Sequence, residues 1–163
     1  MRFFLAQSAT LYDYAGLQAD FSPCLAGHWR TAASLHATVL YLGDRFTPEQ
    51  IVETVSYCDY LLEDAFIKGV GRFARNRIFY AASDHPTLIQ THRLLSAAFA
   101  MKHQRHYRAH VTLMRYKRID PGCFEKEKTE VEAVVAGKLR GALKLMRSTL
   151  TPAGAVYETV YTF

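Results

Sequence analysis

This chain of 163 residues has little that would staple it from outside. Its three cysteines, Cys24, Cys58 and Cys123, are odd in number, lie far apart, and match neither a zinc-ribbon spacing nor a disulfide framework. They are expected to be reduced, buried thiols. Apolar runs are only a few residues long, and the opening MRFFLAQSAT is too short in apolar residues for a membrane span or a signal-peptide core, so the expected address is the cytoplasm. No Pro/Gly/Ser-rich linker or low-complexity tract divides residues 1–163, which are read as one domain. Half the residues are apolar and 21% charged, enough to build a core without a disulfide or metal. Acid is missing from one long stretch. Between Asp64 and Asp120 lie eleven Lys and Arg against the single acid Asp84, a net of +10 that leaves −5 for the rest of the chain. Such a field attracts phosphates and polyanions, and the interleaved Phe73, Phe79, Tyr80, Tyr107 and Tyr116 could stack on bases. A solvated basic face over core aromatics explains charge alone equally well.

Strand-like and helix-like segments alternate. Residues 2–7 read as a strand, 10–20 as a short helix, and 36–42 as a strand closed by Gly43-Asp44. Thr47-Pro48-Glu49-Gln50 supplies an N-cap, a first-turn proline and a capping-box Gln, followed by Ile51, Val55, Cys58 and Leu62 at helical spacing. Residues 66–74 and 77–82 predict two strands hinged near Asn76, with Gly69 and Gly71 permitting a bulge or twist. A second helix follows Asp84, with Pro86 in its first turn and Leu88, His92, Leu95 and Phe99 on one stripe. Residues 110–116 return to strand, 120–132 read as a polar acidic segment, and 139–150 with 156–163 form a hairpin across Pro152-Ala153-Gly154.

One repeat carries chemistry. HATVLYLG at 36–43 and HVTLMRY at 110–116 both open a strand with His-x-Thr, 74 residues apart, close to half the chain. Alternation puts His36 beside Thr38 and His110 beside Thr112 on one strand face each. A duplicated lobe then predicts an α+β fold of two antiparallel sheets facing a cleft that holds two imidazoles and two hydroxyls. That set can cleave a phosphodiester without metal: one His takes a proton from water, the other gives one to the leaving oxygen, and the hydroxyls hold the non-bridging oxygens. A lone His-x-Thr would be an ordinary surface or core histidine; the paired occurrence reverses that reading.

The sequence resembles the 2H phosphoesterases, and among them the RNA 2′,3′-cyclic phosphodiesterases also called 2′-5′ RNA ligases. The likeness rests on Leu35-His36-Ala37-Thr38-Val39-Leu40-Tyr41-Leu42-Gly43 and His110-Val111-Thr112-Leu113-Met114-Arg115. It implies a bilobal, pseudo-two-fold fold with helices outside and both histidines in the central cleft, with no cofactor. It also implies hydrolysis of cyclic-phosphate ends to 2′-phosphates, with His110 as base and His36 as acid. Arg115 matches the family's motif arginine, yet strict alternation turns it away from His110, so either the strand bends there or Arg115 is structural. Its pseudo-symmetric counterpart is Tyr41, and Arg105 and Arg108 are candidate RNA contacts. The run Arg105-His106-Tyr107-Arg108-Ala109 lacks the family's prolines, as does Trp29-Arg30-Thr31-Ala32-Ala33-Ser34, which leaves the substrate loops open. Expected partners are RNA or a nucleotide with a cyclic phosphate. Three other readings stand beside this one: a 2H enzyme for 2′-5′ oligonucleotides or a small cyclic-phosphate nucleotide; a non-catalytic RNA-binding module; and a zinc site at His103, His106 and His110, which lacks a nearby carboxylate or thiol.

Overall fold

The structure is a computed structural model describing residues 1–83, 85–102, 106–152 and 154–163. Its strands are β1 (Arg2–Leu11), β2 (Leu25–Trp29), β3 (His36–Gly43), β4 (Ala65–Lys68), β5 (Val70–Phe73), β6 (Ile78–Ala82), β7 (His110–Ile119), β8 (Val135–Thr151) and β9 (Gly154–Thr162). The helices are α1 (Tyr14–Phe21), α2 (Pro48–Ser56), α3 (Pro86–Ala98) and α4 (Pro121–Val131). Hydrogen bonding runs β4-β8-β1-β3-β7-β6-β5, with β9 on β8 and β2 on β7. All these pairings are antiparallel. The two sheets expected from the repeat are the two halves of this path. Among the described residues they join through one register pair, Ala37 opposite Val111.

Local chemistry explains most elements. The capping box of α2 forms as written: the Gln50 N–H donates to Thr47 Oγ1 at 3.3 Å, and the Thr47 N–H to Gln50 Oε1 at 2.9 Å. Ile51 and Val55 are buried, whereas the helix stops at Ser56, short of Cys58 and Leu62. The α3 stripe Leu88, His92, Leu95 and Phe99 is buried throughout. The predicted 66–74 strand is two strands, because Gly69 adopts φ +75° between β4 and β5, a conformation that favours glycine. Residues 2–11 all join β1, so the first helix begins only at Tyr14, capped by Asp13, whose side chain accepts from the Gly16 N–H. The acidic segment at 120–132 is helix α4: Asp120 is its N-cap, accepting from the Cys123 N–H at 3.1 Å, and Pro121 opens the first turn. Strand β2 had no counterpart in the sequence reading. Ala153, which the sequence reading put in the hairpin turn, lies outside the described residues.

The cysteine expectation is corrected. Cys24, before β2, and Cys123, in the first turn of α4, form a disulfide with Cα atoms 5.3 Å apart, and Cys58 is the free cysteine. Their separation of 99 residues hid a contact made by folding, since Asp120 donates its N–H to the Cys24 carbonyl at 2.8 Å and brings the start of α4 to the start of β2. Beneath, Phe21, Phe79 and Phe124 stack α1, β6 and α4 together at centroid distances of 4.8 to 5.6 Å. Phe79 and Tyr116 are core residues, 0% and 5% exposed, so neither is available to stack on bases. Among the described residues, no helix is long and apolar enough to cross a membrane.

Candidate active site

At the seam, Ala37 and Val111 are both 0% exposed and turn into the core. The neighbours on either side therefore turn to the opposite face, and the same antiparallel register sets His36 beside Thr112 and Thr38 beside His110. All four are half-buried. The pseudo-two-fold axis passes through the Ala37–Val111 pair, and the duplicated motif is the sequence expression of that axis.

Both imidazoles are oriented alike. His36 Nδ1 lies 2.8 Å from the Ser34 carbonyl and His110 Nδ1 2.8 Å from the Arg108 carbonyl. A carbonyl only accepts, so each Nδ1 carries hydrogen, and Nε2 is left to take or give a proton. Each ring also sits between two aromatics: Phe4 and Tyr157 at 5.1 Å from His36, Phe73 at 4.9 Å and Tyr80 at 5.5 Å from His110. Burial lowers the pKa of His36; the Ser34 contact offsets part of this, and the charges of Arg30 and His110 lower it further. Burial also lowers His110, with Arg108 acting in both senses, its carbonyl raising and its guanidinium lowering.

The question of Arg115 is answered by a bulge. β6 pairs Phe79 with Met114 but Tyr80 with Thr112, so Leu113 is an extra residue in β7. β1 likewise pairs Leu5 with Leu40 but Ala6 with Thr38, making Val39 the extra residue in β3. Each bulge shifts the alternation by one, and Tyr41 and Arg115, both exposed, return to the face of their histidine. The bulge carbonyls are pinned: His92 Nδ1 lies 2.7 Å from the Val39 carbonyl, and the Arg30 N–H donates to the Leu113 carbonyl at 2.8 Å. Tyr107 stacks on His92 at 3.9 Å and donates its hydroxyl to the Thr38 carbonyl at 2.8 Å, so it braces β3 instead of offering a base platform. Gly71 sits opposite Tyr80, and a Cβ there would meet the Tyr80 hydroxyl at 2.5 Å. The glycine makes room for the ring that flanks His110.

Two pockets of about 490 and 480 Å³ border the histidines. One is lined by His36, Trp29, Arg30, Lys144 and Tyr157, the other by His110, Thr38, Tyr41, Phe73 and Arg108. Arg108 donates from Nη1 to the Tyr80 hydroxyl at 3.0 Å. Arg105 lies outside the described residues, as does His103 of the imidazole trio; His106 and His110 line the same pocket. Sequence reasoning missed Arg30, Lys144 and Tyr157. Arg30 stood in a loop noted only for its lack of prolines, and Tyr157 reaches His36 because the β8–β9 hairpin folds back beside β1.

No protein-family model matches the chain, and comparison with curated protein sequences finds no match. Solved structures do match. E. coli LigT complexed with 3′-AMP aligns at a TM-score of 0.75 with 17% identity, covering 99% of this chain and 96% of that one. TT0787 of Thermus thermophilus aligns at 0.72 with 23% identity over 100% and 97%. A structure described as a phosphoesterase aligns at 0.69 with 16% identity over 99% and 96%. The two-lobed α+β architecture of this chain is therefore the fold of LigT and of this phosphoesterase.

Proposed function

We propose that the protein is a metal-independent phosphodiesterase that hydrolyses RNA 2′,3′-cyclic phosphate ends to 2′-phosphates, and that, with a 5′-hydroxyl attacking phosphorus in place of water, the same centre reversibly joins 2′-5′ linkages. The observation that carries this is the pair of imidazoles, each held through Nδ1 by a carbonyl so that Nε2 is left for proton transfer, and each on a residue opposite the other strand's threonine. Water attacks phosphorus while one Nε2 takes its proton; the bond to O3′ breaks, and the second imidazole gives that oxygen a proton. Thr38 and Thr112 donate to the non-bridging oxygens. Roles follow the family resemblance, with His110 as base and His36 as acid. Tyr41, Arg108 and Arg115, on the faces or pockets of the histidines, bind the nucleotide chain, and Arg105 is proposed beside them. LigT structures complexed with ATP and with 3′-AMP support a nucleotide ligand on this fold.

The proposed address is the cytoplasm, where the thiol pool would act to reduce the Cys24–Cys123 bond. The test of the function incubates the protein, in EDTA, with 2′,3′-cyclic nucleotides, cyclic-phosphate-ended RNA and 2′-5′ linked RNA, and identifies products by phosphorus NMR. A 2′-phosphate product is expected. Retention of RNA without any product would replace the enzyme with a binding module.

A further inference from the structure

The pocket beside His36 holds an electrostatic imbalance. Arg30 and Lys144 both line it and both are half-buried, yet among the described residues neither has a carboxylate partner, and no Asp or Glu lines the pocket. Removing cations from water without an opposite charge is costly, so such a pair suits an anion brought in from outside. Both cations are held in place. The Arg30 backbone is tied at each end, its N–H to the Leu113 carbonyl at 2.8 Å and its carbonyl to the Tyr14 hydroxyl at 2.8 Å, while its guanidinium lies 5.1 Å over the Tyr157 ring. Lys144 donates to Ser8 Oγ at 2.9 Å.

Position ties this pocket to the reaction centre. Ala6 pairs with Thr38 on one side and Lys144 on the other. Two strand spacings therefore put the Lys144 backbone about 10 Å from that of Thr38. Lys144 donates to Ser8, and Ser8 pairs with His36, so the ammonium stands on the pocket side of the strand that carries His36.

Building on the cyclic-phosphate reading above, we propose that Arg30 and Lys144 form a second anion subsite, which takes a further phosphate of the substrate nucleotide, such as a 5′-phosphate. A phosphate suits it because it brings close to two negative charges and three acceptor oxygens to two cations and the Ser8 hydroxyl. The enzyme would then favour a nucleotide phosphorylated, or continued as a chain, beyond its cyclic end over a bare nucleoside cyclic phosphate.

The test measures, by calorimetry at low salt, dissociation constants of adenosine 2′-phosphate and adenosine 2′,5′-bisphosphate for wild type, Arg30→Met, Lys144→Met and Lys144→Arg. Wild type should bind the bisphosphate roughly tenfold or more tightly, the size of a charge-assisted contact. That preference should shrink towards one in both Met variants and persist in Lys144→Arg. Equal affinities in wild type, or a preference undiminished in both Met variants, would overturn the subsite. Turnover of adenosine 2′,3′-cyclic phosphate, measured in parallel, separates the two ideas. No turnover with the preference intact removes the proposed reaction and leaves the subsite; turnover without any preference removes the subsite alone.

Discussion

Removing either imidazole should stop the reaction without dismantling the fold, and the structure sets the size of both effects. In His36→Ala, the packing lost is that of one ring between Phe4 and Tyr157, together with its bond to the Ser34 carbonyl. Ser34 is half-exposed, so water takes over at its carbonyl, and a cost of about 1–3 kcal/mol is expected. For a chain of this size, that lowers the melting temperature by roughly 2–10 °C. Loss of one positioned proton-transfer group costs roughly 10²–10⁴ in turnover, or about 3–5 kcal/mol of barrier. Because the two groups serve one step, His36→Ala/His110→Ala should be little slower than either single variant. A substrate with a better leaving group needs less help from an acid, so it should rescue His36→Ala and not His110→Ala. The His110 charge is one of the causes lowering His36, so a proton on one ring disfavours a proton on the other and the two titrate as a pair. Rescue of His110→Ala instead would reverse the roles. Wild-type turnover in both single variants, measured on folded protein, would refute the two-histidine mechanism itself.

Since burial lowers both histidines from the ordinary value of 6.5, the one-proton state of the free enzyme is populated on the acid side of that value. The profile of kcat/KM against pH should be a bell with its maximum there, unchanged by EDTA. The same shifts affect stability: the unfolded chain binds protons at a pH where the folded histidines do not, so stability is full above about 6.5 and falls with pH towards the folded values. Denaturant melts of His36→Gln/His110→Gln should show a shallower acid-side loss. Thr38→Ala and Thr112→Ala should each cost about 1.5–3 kcal/mol of barrier, one hydrogen bond to a charged oxygen, in single-turnover assays. Arg108→Ala should weaken RNA binding more than binding of a mononucleotide cyclic phosphate, and added salt should weaken RNA binding by cation release; equal effects on both ligands would remove Arg108 from the RNA track. Denatured protein should show one reactive thiol, Cys58, and three after reduction. Reduction should lower stability by up to about 4–5 kcal/mol for a closed loop of 99 residues.

What was legible in the sequence followed from local rules or from repetition. The capping box at Thr47, the buried stripe on α3 and the β8–β9 hairpin depend on neighbours within a few residues, and the paired His-x-Thr announces the axis because both copies obey the same strand period. Helix α4 was also written locally, in Asp120-Pro121, but its polar composition hid the cap. The Cys24–Cys123 pairing had no local signal: it depends on β2 lying along β7, and β2 is a five-residue strand with a glycine at its centre. Arg30 and Tyr157 were hidden for the same reason. Both come to His36 through pairings between segments far apart in the chain.

The bulges show how far the symmetry extends and where it stops. In each motif strand, the third residue past the histidine is the extra one, Val39 or Leu113, and in each the residue two further on is turned back to the cleft. Around the scissile position the two lobes therefore offer matching groups: imidazole, hydroxyl, two flanking rings and a pinned bulge carbonyl. Beyond it they differ. Tyr41 stands where Arg115 stands, the Val39 carbonyl is held by a helix histidine and that of Leu113 by a loop arginine, and among the described residues it is the His36 pocket that holds two half-buried cations without acids. A symmetric centre can move a proton in either direction, which suits the reversible joining proposed above. Direction and substrate must then be set by the unmatched residues. Arg30 belongs to this set twice, through its backbone at the Leu113 bulge and its side chain over Tyr157, so it links the shape of one motif strand to the pocket beside the other.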